Sequence, residues 1–125
     1  MMEWMERIKV LLVDDEEELS LVMAERLQLR GFDAEGVTSG EQALERLLEK
    51  AFDVAVIDIK MPGIGGLDLM KEIQKKHPDT KVILFTGHGS GAEEEGQDIE
   101  GAVDYLVKPV DIDDLTEKIR LAAEA

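Results

Sequence analysis

The sequence of 125 residues contains no cysteine, which excludes a disulfide framework and a thiolate metal site. Basic residues are scarce, because 14 Lys plus Arg stand against 29 Asp plus Glu. The resulting formal net charge of -15 opposes binding to nucleic acid or to an anionic membrane surface. No apolar run approaches the roughly 20 residues of a membrane-spanning helix, and the acidic opening segment is too short for a signal peptide. We therefore expect a single cytoplasmic domain whose partners are cations or basic surfaces.

Five short apolar runs, rich in Val, Ile and Leu, are spaced along the chain and predict buried β-strands. They are Ile8 to Val13, Phe32 to Val37, Val54 to Ile57, Val82 to Phe85 and Val103 to Val107. Stretches with helical spacing follow the runs. This alternation favours an α/β domain in which helices cover both faces of a five-stranded parallel sheet.

Each helical stretch predicts an apolar face that packs on the sheet. The predicted faces are Leu19, Val22, Met23 and Leu27 in the first helix, Ala43, Leu44, Leu47 and Leu48 in the second, Leu67, Met70 and Ile73 in the third, and Leu115, Ile119 and Ala122 in the last. Ser39 with Gln42 predicts a capping box at the start of the second helix. Asp111 is expected to cap backbone amides near Asp114.

A glycine-rich segment occupies the place of the fourth helix, between Gly87 and Gly101. Each glycine inside a helix costs about 1 kcal/mol relative to alanine, and Ala92 to Glu100 offers little to a core. We predict a short or mobile fourth helix. The stretch Gly87 to Gly91 suggests a nucleotide-binding loop, but it lacks the spacing and the lysine of the known phosphate loops and is interpreted as a flexible turn.

Polar residues follow four of the apolar runs directly. Asp14 and Asp15 follow the first run, Asp58 the third, Thr86 the fourth, and Lys108 with Pro109 the fifth. In an open parallel sheet, ligands bind outside the carboxyl ends of the strands. Any one of these residues alone is readily explained as a solvated loop residue or a helix cap, but the set together indicates a site.

Three carboxylates in one place require a cation. Two like charges about 4 Å apart repel by roughly 4 kcal/mol at an effective dielectric of 20. Oxygen ligands without His or Cys indicate a hard ion, and Mg²⁺ accepts one or two carboxylates while leaving a position for a phosphate oxygen. A carboxylate such as Asp58 beside Mg²⁺ can attack a phosphoryl group. Thr86 would then donate a hydrogen bond to that group, and Lys108 would pair with it.

Four segments of the sequence together form a recognisable pattern. They are Leu12-Val13-Asp14-Asp15, Val56-Ile57-Asp58-Ile59-Lys60-Met61-Pro62-Gly63, Phe85-Thr86-Gly87 and Gly101-Ala102-Val103-Asp104-Tyr105-Leu106-Val107-Lys108-Pro109. From about Ile8 to Ala123, the chain resembles the receiver domain of bacterial two-component response regulators. We expect residues 1–7 to form a tail and residues 8–125 to form this domain.

The resemblance implies a flavodoxin-like, doubly wound sheet of order 2-1-3-4-5. It also implies that Asp58 accepts a phosphoryl group from a sensor histidine kinase or a phosphotransfer protein. Mg²⁺ would be held by Asp15, Asp58 and the backbone carbonyl of Lys60, with Asp14 acting mainly through water.

The resemblance also predicts how the phosphorylated state is transmitted. Thr86 and Tyr105 would move together and remodel the face formed by the fourth helix, the fifth strand and the last helix, which contacts a downstream effector or a second copy of the chain. Lys108-Pro109 would carry a cis peptide bond. Tyr105 also fits a simple packing role, and His88 either tunes hydrolysis of the phosphoryl group or is an exposed loop residue.

Two other functions compete with this switch. A phosphatase that forms an aspartyl phosphate needs a second acid two residues after its nucleophile, but position 60 is lysine. A pseudo-receiver that only docks partners would lack the acid pair, the acceptor or the lysine, and all of these are present. We therefore expect a domain that catalyses only its own phosphorylation and dephosphorylation and is otherwise not an enzyme.

Overall fold

The computed structural model describes residues 7–86 and 101–125. Most of the expected tail, the Gly87 to Gly91 turn with His88, and the expected fourth helix lie outside the described residues. The strands are β1 (Lys9–Val13), β2 (Asp33–Val37), β3 (Val54–Asp58), β4 (Lys81–Thr86) and β5 (Asp104–Val107). The described helices are α1 (Glu17–Leu29), α2 (Gly40–Glu49), α3 (Gly66–Lys76) and α4 (Ile112–Glu124), of which α4 is the predicted last helix.

The five strands form one parallel sheet in the order β2-β1-β3-β4-β5. This confirms the flavodoxin-like order that the resemblance predicted. Every residue of the central strand β3 is buried, which is why its sequence is a continuous apolar run before the final aspartate. No helix among the described residues is both long and apolar enough to cross a membrane.

Alternate residues of the strands pack into two cores on opposite faces of the sheet. Leu12 and Val56 face the side covered by α1 and α4, whereas Leu11 and Ile57 face α2 and α3. The period of two along each strand explains why neighbouring residues belong to different cores. Both faces of the sheet are therefore covered, as the alternation of strands and helices predicted.

Some of the predicted apolar faces are wrong in detail. Helix α1 buries Ser20, Ala24 and Leu27, whereas Val22 remains 43% exposed. Small side chains are needed there because α1 lies against β2, where a Cβ built on Gly36 would lie 2.4 Å from Oγ of Ser20. The same error of helix phase affects α2, in which Leu48 is exposed, and α3, in which Leu69 is buried and Leu67 lies at the margin of the core. On the edge strand β5, Tyr105 and Val107 are half exposed and not buried as predicted.

The predicted helix caps at Ser39 and Asp111 are present with small differences. The Gln42 amide donates to Oγ of Ser39 over 3.1 Å, as in a capping box. The side chain of Gln42 accepts instead from the amide of Thr38, one residue before the cap. Asp111 accepts from the amide of Asp113 over 2.8 Å, one residue earlier than expected.

A cluster of charged side chains links α2 to β2. Arg46 donates to both carboxylate oxygens of Glu35, over 2.8 and 3.0 Å, and Lys50 lies 3.0 Å from Glu35 and from Asp33. The hydrogen bond from Arg46 is the main reason that the pKa of Glu35 lies below its ordinary value, although burial opposes the shift and Lys50 adds to it.

Replacing Glu35 with glutamine is expected to lower the free energy of unfolding at neutral pH by up to about 1 kcal/mol. A carboxylate with a lowered folded-state pKa contributes stability above its ordinary pKa of 4.5, and loses it as the pH falls through the folded-state pKa. The difference between the two proteins should therefore vanish in acid. Urea unfolding at a series of pH values measures it. Glu49→Gln is the control, because its carboxylate binds the same arginine but is mostly exposed.

Candidate phosphoryl-acceptor site

Three carboxylates converge at the carboxyl ends of β1 and β3. These strands are neighbours, with Val13 opposite Ile57, so the residues that follow meet at one edge of the sheet. One oxygen from each of Asp14, Asp15 and Asp58 lies within 4.8 Å of the others. Asp14 is 1% exposed and Asp58 5%, whereas Asp15 is exposed to solvent. The structure therefore brings together the acid residues that the sequence singled out.

The turn that carries Asp14 is fixed by the backbone of β2. The carbonyl of Val37 accepts from the Asp14 amide over 3.1 Å and from Oγ of Ser20 over 3.3 Å. Within the turn, Oδ1 of Asp14 accepts from the amide of Glu16 over 2.9 Å. Ser20 was not predicted, and nothing in its own segment marks it, because its burial depends on the close approach of α1 to Gly36 on β2.

The loop after β3 is held close behind Asp58. Oδ1 of Asp58 accepts from the amide of Lys60 over 3.2 Å, and the Gly66 amide donates to the carbonyl of Ile59 over 2.9 Å. A Cβ built on Gly66 would lie 2.2 Å from the carbonyl oxygen of Asp58. Glycine at the first position of α3 is therefore required by the close approach of the helix to the backbone of the acceptor strand.

Lys108 extends from the end of β5 into the acid cluster. Its Nζ lies 3.0 Å from Oδ2 of Asp14, 3.3 Å from Oδ2 of Asp58 and 3.8 Å from Glu16. Burial, the largest single influence, lowers the pKa of Lys108, but the two aspartates together raise it above its ordinary value. The ammonium is therefore charged and acts as an internal counter-ion for the cluster.

The cluster nevertheless carries an excess of negative charge. Burial is the main cause that raises the pKa of Asp58 above its ordinary value; Lys108 opposes it and Asp14 adds to it. Among the described residues, the buried Oδ2 of Asp14 accepts no well-aligned hydrogen bond, and its charge is balanced only by the ion pair with Nζ of Lys108 at 3.0 Å. Three carboxylates that share one ammonium leave net negative charge at the site, which fits a divalent cation with oxygen ligands.

Thr86 and Tyr105 lie on the neighbouring strands β4 and β5. Thr86 is buried and stands opposite Val107, whereas Tyr105 stands opposite Leu84 and is 45% exposed. Because side chains alternate along a strand, Thr86 and Tyr105 point to the same face of the sheet, two residues apart in register. The amide of Lys108 donates to the carbonyl of Thr86 over 2.7 Å, and the Lys108-Pro109 peptide bond is cis.

Comparison with known proteins identifies the family. The sequence-family model of the response regulator receiver domain matches residues 10–120 of this chain. The chain is 36% identical over 118 residues to the DNA-binding transcriptional regulator NtrC of Escherichia coli (strain K12), covering 94% of this chain and 25% of NtrC. It spans between 22% and 52% of the length of NtrC and other curated relatives.

Solved structures agree with this match. The receiver domain of a Francisella response regulator superposes with a TM-score of 0.84 at 29% identity, covering 94% of this chain and 98% of that one. The response regulator TrrA of Thermotoga maritima, solved in complex with Mg²⁺ and BeF, gives a TM-score of 0.81 at 34% identity, covering 91% and 97%. With its acid cluster, its lysine and its strand order, the chain belongs to the receiver domain family of two-component response regulators.

Proposed function

We propose that this domain is a signalling switch that accepts a phosphoryl group on Asp58 from a sensor histidine kinase or a phosphotransfer protein. The observation that carries the proposal is the convergence of Asp14, Asp15 and Asp58 around a charged Lys108. An acid cluster alone is common on protein surfaces. Here Asp14 and Asp58 are buried and the ammonium of Lys108 lies 3.0 Å from Oδ2 of Asp14. The site therefore offers oxygen ligands for a cation and a positive charge for an anion.

The proposed transfer is a substitution at phosphorus. A carboxylate oxygen of Asp58 forms the new O–P bond, the P–N bond of the donor phosphohistidine breaks, and its electron pair returns to the imidazole. Lys108 pairs with the incoming phosphoryl oxygens, which neutralises charge that the buried aspartates would otherwise repel. The Thr86 hydroxyl donates a hydrogen bond to the transferred group.

We assign the metal to Asp15, Asp58 and the backbone carbonyl of Lys60, with Asp14 acting mainly through water. When bound there, Mg²⁺ would neutralise negative charge on the oxygens of the phosphoryl group. The negative charge that remains after Lys108 pairs with Asp14 and Asp58 supports this assignment. The related TrrA was solved with Mg²⁺ and BeF, which also supports it.

The proposed output is a change on the face that contains β5. Thr86 would turn toward the phosphoryl group, and Tyr105, on the same face of the sheet, would follow into the space that it leaves. The exposed position of Tyr105 supports its freedom to move. Residues 8–125 would act as the receiver domain, and a downstream effector or a second copy of the chain would bind the altered face.

Mass spectrometry after incubation with Mg²⁺ and acetyl phosphate tests the proposal. We expect the wild-type protein to gain one phosphoryl group and Asp58→Asn to gain none, because an amide is a poor nucleophile. Asp53→Asn is the matched control, since Asp53 lies just before β3 as Asp58 ends it, and it should be labelled like the wild type. An unlabelled wild-type protein would instead indicate a docking module that works without phosphorylation.

A further inference from the structure

The aromatic ring of Phe85 lies against the ammonium of Lys108. Nζ of Lys108 is over the ring, 4.9 Å from its centroid, within the distance at which a cation is attracted to the negative face of an aromatic ring. Building on the proposed function, we propose that Phe85 is a positioning residue that holds Lys108 in place for the phosphoryl group through this cation–π contact.

The backbone fixes Phe85 next to the site. Phe85 stands opposite Asp58 on β3 and opposite Leu106 on β5, and its carbonyl accepts from the amide of Ile59 over 2.9 Å. Its side chain belongs to the core between the sheet, α1 and α4, and is 6% exposed. The ring therefore cannot follow Lys108 if the lysine moves, and it acts as a fixed reference for the ammonium.

The ring offers an attraction that the carboxylates cannot maintain through the reaction. Before the reaction, Asp14 and Asp58 hold the ammonium at 3.0 and 3.3 Å. Their attraction for Lys108 weakens when a divalent cation neutralises them or when Asp58 is converted to an acyl phosphate. The ring has no charge to neutralise. It continues to attract the ammonium and keeps it beside the phosphoryl oxygens.

Two similar contacts elsewhere provide a comparison. Lys50 lies 5.3 Å from the ring centroid of Phe52, and Arg120 lies 5.1 Å from that of Phe32. Phe52 precedes β3, whereas Asp58 ends this strand, so Phe52 is remote from the acid cluster. A change in the electronics of Phe52 therefore reports the effect of ring chemistry on stability without touching the site.

Progressive fluorination of the ring separates electrostatics from packing. Fluorine is only slightly larger than hydrogen, but each added fluorine weakens the negative face of the ring. Phe85 also lines a surface groove of about 570 Å³, which leaves room for the substituents. The full chain would carry 4-fluoro-, 3,5-difluoro- or 3,4,5-trifluorophenylalanine at position 85, and phosphorylation by acetyl phosphate would be measured at saturating Mg²⁺.

We expect the logarithm of the phosphorylation rate to fall in step with the number of fluorines, by about tenfold for the trifluoro ring. The same fluorinated phenylalanines at position 52 should leave the phosphorylation rate unchanged. If the wild-type protein is labelled but the series at position 85 is flat, Phe85 only packs and the inference is overturned. If the wild-type protein takes no label, the proposed function itself fails.

A metal-free measurement tests the contact independently of phosphorylation. In EDTA, the trifluoro ring should lower the melting temperature of the wild-type background more than that of a Lys108→Met background, because the second protein lacks the cation. An equal loss in both backgrounds would show that the ring does not act on Lys108.

Discussion

Replacing Gly66 with alanine is expected to lower the free energy of unfolding by about 3 kcal/mol or more. The added Cβ would lie 2.2 Å from the carbonyl oxygen of Asp58 and 2.7 Å from Cα of Ile59, and both are backbone atoms of a buried strand and its exit. Neither atom can move without distorting β3. The higher helix propensity of alanine, about 1 kcal/mol, is too small to offset this cost.

Thermal unfolding followed by circular dichroism measures the effect, and the expected loss in melting temperature is roughly 10 °C or more for a domain of this length. Gly65→Ala, at the position just before Gly66, is a matched control. A Cβ on Gly65 meets only the carbonyl of Ile59, at 3.9 Å, so this variant should lose at most the roughly 1 kcal/mol of a weaker helix N-cap. If the two variants are equally stable, the close approach of α3 to Asp58 is wrong.

Adding Mg²⁺ is expected to raise the melting temperature by roughly 10 °C when its concentration is about 100 times the dissociation constant. At that excess, binding to the folded state alone contributes about 2.7 kcal/mol, which corresponds to this shift at a length of 125 residues. The physical source is the repulsion among Asp14, Asp15 and Asp58, which the cation relieves. Differential scanning fluorimetry with Mg²⁺ and with EDTA measures it.

Two controls separate binding from general screening of the net charge. Sodium chloride at the same ionic strength should give a much smaller rise, and Asp15→Asn should reduce the Mg²⁺ effect.

In EDTA at neutral pH, Asp58→Asn should melt above the wild type, because the raised pKa of Asp58 means that its charge destabilises the fold. That advantage should disappear below the ordinary pKa of 3.8, where the wild-type carboxyl is also protonated. If the melting temperature of the wild-type protein is the same in Mg²⁺ and in EDTA, the proposed metal site is wrong.

The sequence was sufficient for the sheet because the information there is local. Continuous apolar runs such as Val54 to Ile57 can be buried only in a strand that is covered on both faces, and the polar residues after them mark the carboxyl edge. The phase of the helices was harder to predict. Helix α1 buries Ser20 because Gly36 on β2 allows a close approach, and this depends on a pairing that neither segment reveals alone.

The site could be predicted by residue type but not by contact. The sequence indicated that Asp58 and Lys108 share a site, and the structure places them 3.3 Å apart. The sequence did not indicate that the ammonium of Lys108 lies closer to Asp14 than to Asp58, or that the ring of Phe85 contacts this ammonium. These contacts depend on the rotamers of long side chains between three strands, and spacing along the chain carries no information about them.

The outer edge of β2 has a consequence for how the protein behaves at high concentration. In a parallel strand, alternate carbonyls point outward, and the outward carbonyl of Ala34 already accepts from Nε2 of Gln28 over 2.8 Å. Charged Asp33 and Glu35 flank it, and Gly36 has a low β propensity. An incoming strand from another molecule would have to break that bond and pack beside charged side chains that already pair with Arg46 and Lys50, so this side of the sheet resists edge-to-edge aggregation.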